Sequence, residues 1–405
     1  MACQALSGVK VADFTWVVAG PMTIKWLAEH GAEVIHVESS TRPDIMRILP
    51  PFKDGLPGLN RSAYHACFND SKYGLALDVN HPRARDVLER LVKWADVVAE
   101  NFSPGVMAKW RMAYEDLKKM KPDIIMYSTS QQGQTGPRAE IAAMGTQLVS
   151  LSGFTHLTGW PDRDPAGPYG PYTDSLVPTL GAAGIMAALI NRRKTGKGCH
   201  IELSQLEAAL NFLSPALLDY AVNGRVAIRQ GNRCDYASPQ GVYRCRGEDR
   251  WCAISIMSDH EWEKLCHLMG KPELAKDFRF ATLLQRKKNE DALDRIISDW
   301  TSELTAEDVM HMLQEAGIAA GTAQTSKDLL ENDPQLAHRH FFWDLEHSEI
   351  GMHHYGGPPV RLSRTPCELT MPGPCIGEHN EYVCTEMLGF SEEEYANLVT
   401  EGVLE

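Results

Sequence analysis

The first 130 residues alternate between two hydrophobic periods, and this alternation restricts the fold more than any other feature of the chain. The runs "KVADF" (10–14), "AEVIHVE" (32–38), "YGLALDV" (73–79), "DVVAEN" (96–101) and "DIIMYSTS" (123–130) are short and almost continuously apolar. Runs of that kind are strands buried on both faces. Between them, "GPMTIKWLAEHG" (20–31) and the segment from His81 to about Ala95 carry helical spacing, the first closed by Gly31. Strands that alternate with helices predict a parallel sheet with helices on both sides, an α/β, Rossmann-like large domain.

The chain has 405 residues, more than one hydrophobic core usually organises. A helix is expected from about Leu176 to Arg193, then the turn "TGKG" (195–198) and the strand "CHIELS" (199–204). The character changes near Asn223. "GVYRCRGEDRWCAISIM" (241–257) reads as a hairpin turned at Gly247, Glu248 and Asp249, followed by the polar helices "DHEWEKLCHLMG" and "NEDALDRIISDWTSEL". "GIAAGTAQT" (317–325) resumes strand character. The expected organisation is a first part of the large domain over 1–222, a smaller α+β domain over 225–315, and a return to the large domain over 317–405.

Composition removes several function classes. The formal net charge of −13 is opposite to that of a nucleic-acid binder. Ten cysteines occur without a CxxC pair, and no carboxylate or thiol stands at ligand spacing around His338 and His340 or His353 and His354, so no metal site is expected. The longest apolar stretch, Ser175 to Ile190, is broken by Pro178, Gly181 and Gly184 and is too short to span a bilayer. The opening "MACQALSGVKVADF" lacks a basic start followed by an apolar core. The expectation is a cytoplasmic protein with reduced thiols and neither a membrane nor a nucleic-acid partner.

Two places carry chemistry. "DFTWVVAGPM" (13–22) joins a strand to a helix N-terminus, where backbone N–H groups and the helix dipole favour anions. It lacks GxGxxG, which argues against a dehydrogenase-type dinucleotide site. Arg47, Lys72, Lys109 and Arg138 fall near the carboxyl ends of the elements, where open α/β sheets bind ligands, and suit a polyanion. Asp174 stands between the loop "AGPYGPYT" (166–173) and an apolar run. Asp is a preferred N-cap, and a carboxylate at a helix N-terminus can also serve as a covalent nucleophile. Local pattern leaves both readings open.

Several blocks, in order and over nearly the whole length, resemble the class III CoA-transferase family, the group that includes formyl-CoA transferase and carnitine CoA-transferase. They are "VADFTWVVAGPMTIKWLAEHGAEVIHVES", "FNDSKYGLALDV", "DVVAENFSPGVMAKW", "SQQGQTGP" (against a "GFGxxGP" loop), "RKTGKG" and "IGEHNEYV". The resemblance implies that Asp174 is the nucleophile. It also implies that CoA meets the first-loop backbone at Val17, Val18 and Ala19, together with Lys72, Asn101, Phe102, Lys109 (where relatives carry Arg) and Trp110. Ser39 and Ser40 replace a family Arg, which makes Arg47 a candidate substitute, with Arg138 a further cation. Trp16 and Met144 are expected near the acyl pocket.

The implied reaction moves CoA from an acyl-CoA to a free acid through an aspartyl anhydride and an aspartyl-CoA thioester. CoA acts as a substrate, and no tightly bound cofactor is needed. Within the family the chain is most similar to subunits that act on succinyl-CoA and benzylsuccinate in anaerobic toluene degradation. The fold implied is an interlocked dimer, formed by two copies or with a paralogous subunit. α-Methylacyl-CoA racemases share this fold and place a catalytic His where Met144 stands, so a racemase lacks one of its two bases here. A non-catalytic partner subunit is the other alternative, which Asp174 argues against.

Overall fold

The computed structural model describes residues 4–141 and 144–405. Its contacts divide into two units. The larger comprises Met1–Phe154, Gly167–Val226 and Gln335–Glu405, and the smaller comprises Thr155–Ala166 and Ala227–Pro334.

In the larger unit, β1 (Lys10–Phe14), β2 (Glu33–Glu38), β3 (Tyr73–Ala76), β4 (Val97–Glu100), β5 (Ile125–Ser130) and β6 (Cys199–Ser204) form one sheet in the order β3-β2-β1-β4-β5-β6. Every pairing is parallel. The order reverses between β1 and β4, which opens a crevice at the carboxyl edge of the sheet. On one face Ile24 and Leu27 of the Ala19–Glu29 helix, with Ile185 and Leu189 of the Tyr172–Thr195 helix, cover Val11, Val34, Val97 and Ile125. On the other, Val87, Leu88 and Leu91 of the Ala84–Trp94 helix pack with Val383, Cys384, Leu398 and Leu404 over Ala12, Phe14, Ile35 and Val98. This two-sided cover is why the strands read as unbroken apolar runs.

The Tyr172–Thr195 helix is long and apolar enough to cross a membrane by length and composition. In the fold it lies on β5 instead. A Cβ at Gly181 would stand 2.4 Å from the Tyr127 hydroxyl and 2.9 Å from Thr23, so only glycine lets the helix approach this closely. The helix starts earlier than its sequence suggested. Pro171 takes the N-cap position after Gly170, whose φ is +60°, and Asp174 becomes the third helical residue without a capping role. Pro178 lies inside the helix and has no N–H to give to the Asp174 carbonyl four residues back.

The smaller unit holds a second sheet, β7 (Gln240–Arg244), β8 (Trp251–Ser255) and β9 (Ala319–Thr322), all antiparallel. Tyr243, Cys252 and Ile254 pack against Trp262, Leu265, Leu293, Ile297, Val309 and Leu313 from three helices. β9 departs from the expected layout. It pairs with β8, Ile254 opposite Ala320, so strand character near Gly317 completes the small sheet. The chain re-enters the larger unit only at Gln335, where β10 (Phe342–His347) and β11 (Gly351–Gly356) form a hairpin.

Candidate functional site

The crevice is built from strand ends. After β1 the chain turns through Trp16 and Val17, and Val17 has a φ of 71°. A β-branched residue rarely occupies that left-handed region, and such strain persists only where neighbours enforce it. The Val17 N–H donates to Asp44 Oδ2 at 2.8 Å. The Asn101 carboxamide accepts from the Trp16 N–H and donates to the Trp16 carbonyl, each at 2.7 Å. One side chain at the end of β4 therefore fixes the turn at the end of β1, across the point where the strand order reverses. Glu100 steadies the same loop by accepting the Phe102 N–H at 2.8 Å. Burial lifts the Glu100 carboxyl to about 7, against the pull of Ser128 and that N–H.

A cavity of about 220 Å³ occupies the crevice. Its walls are Val17–Ala19, Asn101–Pro104, Ser130–Gln132, Ala139, Ile141, Met144, Gly145, Asp174 and Gln205. Asp174 is buried, and burial raises its pKa to about 7. Among the described residues no ion pair or side-chain hydrogen bond is recorded for its carboxylate. A Cβ on Gly145 would lie 2.7 Å from Asp174 Oδ2 and 2.3 Å from Pro171, so glycine is what lets the start of the Gly145–Leu151 helix stand against the acid. A buried carboxylate in a cavity at a strand-edge crevice, its pKa raised towards neutrality, is equipped to attack an electrophile.

The cavity collects Val17, Val18, Ala19, Asn101, Phe102, Met144 and Asp174 from the residues expected at the site. Trp16 lies outside its lining. The Trp16 ring meets Phe102 edge-on at 5.4 Å and its Nε1 donates to the Val37 carbonyl, so it braces the loop from behind. Trp110 also meets Phe102 edge-on, at 5.3 Å.

Two of the expected cations are placed differently from a phosphate contact. Lys72 is fully buried, and its ammonium donates to Asp13 Oδ2 (2.9 Å), the Pro21 carbonyl (3.0 Å) and Asn69 (2.9 Å). Burial alone would raise the Asp13 carboxyl, but Lys72 and His36 beside it hold it at about 2. Arg47 is equally buried and forks onto Glu38 at 2.8 and 2.5 Å, with further bonds to Leu59, Asn60 and Pro374. Every donor direction of these two side chains points into protein. A Lys ahead of a strand reads the same in sequence whether it faces a ligand or a buried acid. Lys109 and Arg138 are exposed, on the short helix after β4 and the loop after β5.

His36, Glu38 and His65 bring three potential ligand atoms within 4.8 Å of one another. The Glu38 carboxylate is already taken by Arg47, and burial with the Arg47 charge depresses His65 to about 3. The acid of the cluster is therefore committed to a buried ion pair, with His65 beside it held uncharged.

Sequence reading missed Ser130, Gln131, Gln132, Gly145 and Gln205 as cavity walls. The available signal was the polar pair Gln131 and Gln132 placed directly after a strand that ends in Ser130, where the resemblance has Gly-Phe.

Comparison with known proteins agrees with this architecture. The model of CoA-transferase family III matches residues 6–380. The chain is 31% identical over 401 residues to succinyl-CoA–D-citramalate CoA-transferase of Chloroflexus aurantiacus, spanning 99% of this chain and 98% of that protein. It is 30% identical over 396 residues to the alpha subunit of succinyl-CoA–L-malate CoA-transferase of Chloroflexus aurantiacus, covering 97% and 91%. A crystal structure of a CAIB/BAIF family protein from Brucella suis superposes with a TM-score of 0.86 at 30% identity, covering 95% of this chain and 99% of that one.

Proposed function

The chain belongs to CoA-transferase family III and is a CoA-transferase, and on that premise we propose that it works by covalent catalysis at Asp174, with succinyl-CoA as donor. The observation that carries the reading is the Asp174 carboxylate, buried against Gly145 in the crevice and titrating at about 7. An ionised Asp174 attacks the thioester carbonyl, the C–S bond breaks, and CoA leaves as thiolate from a mixed anhydride. The thiolate attacks the aspartyl carbonyl and releases the donor acid as carboxylate. The acceptor carboxylate then attacks the aspartyl-CoA thioester, forming a new anhydride and freeing the thiolate again. Attack of that thiolate on the acyl carbonyl yields the new acyl-CoA and restores Asp174. One thioester replaces another, so the exchange is nearly balanced in energy. Walls that exclude water protect the anhydride from hydrolysis.

Succinyl-CoA as donor is supported by the names of the two Chloroflexus relatives. The acceptor is a dicarboxylic acid. Benzylsuccinate is the aromatic candidate, for which Ile141 and Met144 offer an apolar wall. The exposed cations Lys109 and Arg138 are suited to the phosphates of CoA. The working assembly is a dimer of this chain or a pair with a paralogous subunit. It is supported by the Ser214–Asn223 helix, which has no buried residue and exposes Leu217, Leu218, Tyr220 and Val222.

The test is Asp174→Asn. Asn retains the shape and cannot form an anhydride. Transfer from succinyl-CoA to a panel of dicarboxylates should fall to background, while CoA binding persists. Wild-type enzyme incubated with succinyl-CoA and then hydroxylamine should carry a hydroxamate on the peptide containing Asp174. Turnover by the Asn variant, or label on a different acid, overturns the assignment.

A further inference from the structure

Two of the residues that wall the cavity carry polar atoms without partners. The Ser130 hydroxyl and the Gln132 amide nitrogen are buried with no hydrogen-bond partner. Both residues line the wall that also holds Asp174. Native structures leave such groups unpaired chiefly where a ligand or an ordered water completes them. The wall is rigid. Ser130 is the last residue of β5, the Gln131 carbonyl accepts the Leu206 N–H at 2.8 Å, and the Gln134 N–H donates to Glu202 at 2.5 Å. Among the described residues, no Lys, Arg or His lines the cavity. Its polarity consists of neutral hydroxyl and carboxamide groups around one carboxyl.

We propose that Ser130 and Gln132 read an oxygen substituent on the acyl group, a hydroxyl or a distal carboxylate, so that the enzyme selects short oxygenated acyl-CoAs over plain aliphatic ones. The inference rests on the transferase reading and adds to it the residues that choose the acyl group. A fixed wall of donors gains a partner from an oxygenated chain. An aliphatic chain of equal length leaves the same groups unpaired, which is the arrangement that discriminates most strongly. Gln132 can offer either end of its carboxamide by rotating its terminal torsion, and the Ser130 hydroxyl turns freely, so the same pair serves a carboxylate or a hydroxyl.

The experiment compares succinyl-CoA, 3-hydroxybutyryl-CoA and butyryl-CoA, which share a four-carbon acyl chain and differ in its oxygen. Single-turnover labelling of Asp174, trapped with hydroxylamine, reads each directly. Wild-type enzyme should label at least tenfold faster with one of the oxygenated thioesters than with butyryl-CoA. Gln132→Leu and Ser130→Ala, checked for native melting, should narrow that ratio by tenfold or more, chiefly through loss on the oxygenated substrate. A faster succinyl-CoA arm identifies a carboxylate as the recognised group, and a faster 3-hydroxybutyryl-CoA arm identifies a hydroxyl. Equal labelling by all three thioesters in the wild type overturns the inference while leaving the transferase reading intact. Unchanged ratios in folded variants overturn the role of these two residues. Absence of label at Asp174 with every thioester overturns both.

Discussion

At the scale of single residues, Asp174 sets function against stability. The unfolded chain has its carboxyl near 3.9, whereas burial lifts the folded value to about 7. A raised folded pKa means that the folded state holds the proton more tightly. The stabilisation is complete below the unfolded pKa and is lost as pH rises through the folded one. Asp174→Asn should therefore match wild type near pH 4 and exceed it at pH 8, by up to about 4 kcal/mol in denaturant titrations. Transfer should follow the opposite limb, rising with pH through about 7 as the proposed nucleophile ionises. A pH-independent stability difference would remove the desolvation argument. The cations divide in the same way. Lys72→Ala removes the cation facing the buried Asp13 carboxylate, which then keeps only His36 and Thr15 as partners, and should cost roughly 3 kcal/mol of stability. Lys109→Ala, at an exposed position, should leave melting unchanged and raise the KM for CoA thioesters severalfold. If Lys72→Ala melts like wild type and loses only CoA affinity, the buried network has been misjudged.

Between elements, the decisive joint is Asn101. Its carboxamide closes two bonds to the Trp16 backbone and holds Val17 in a conformation that a β-branched residue otherwise avoids. Asn101→Ala leaves a donor and an acceptor of Trp16 unmatched, a loss of about 1–3 kcal/mol. It also frees the turn that walls the cavity, so kcat for transfer should fall tenfold or more while the sheet still forms, as judged by far-UV dichroism. Full activity in that variant would show that the loop holds itself. Much at this scale was legible beforehand. β1 falls on its sequence-read position because a fully covered parallel strand must be apolar throughout. β6 falls on its own for a different reason, as an edge strand whose Cys199, Ile201 and Leu203 alternate with the exposed His200 and Glu202. The beginning of the Asp174 helix was not legible, since Pro171 serves at its N-cap in place of the usual hydroxyl or carboxylate. β9 was misplaced because "AAGT" states that it is extended and says nothing about which sheet it joins. The neutral cavity wall escaped notice because a glutamine beside a substrate and one beside water are the same letter.

For the whole molecule, the first question is what covers the apolar helix Ser214–Asn223. Val222 is 77% exposed and Leu218 62%, and the proposed dimer rests on this bare aliphatic surface. Sedimentation at micromolar concentration should return twice the 45.0 kDa chain mass, stable to dilution. A persistent monomer would end the dimer proposal. A dimer without transfer activity would turn the search towards a paralogous subunit. The layout of the sheet also has a consequence in time. β6 completes the sheet at Ser204, but one of its faces is finished by Val383, Cys384, Leu398 and Leu404. A ribosome adds roughly 5–20 residues per second, so the nascent sheet spends on the order of ten seconds or more with part of that face uncovered while the smaller unit is made. During synthesis that apolar face stays open to solvent and to other chains, an exposure that the finished fold no longer shows.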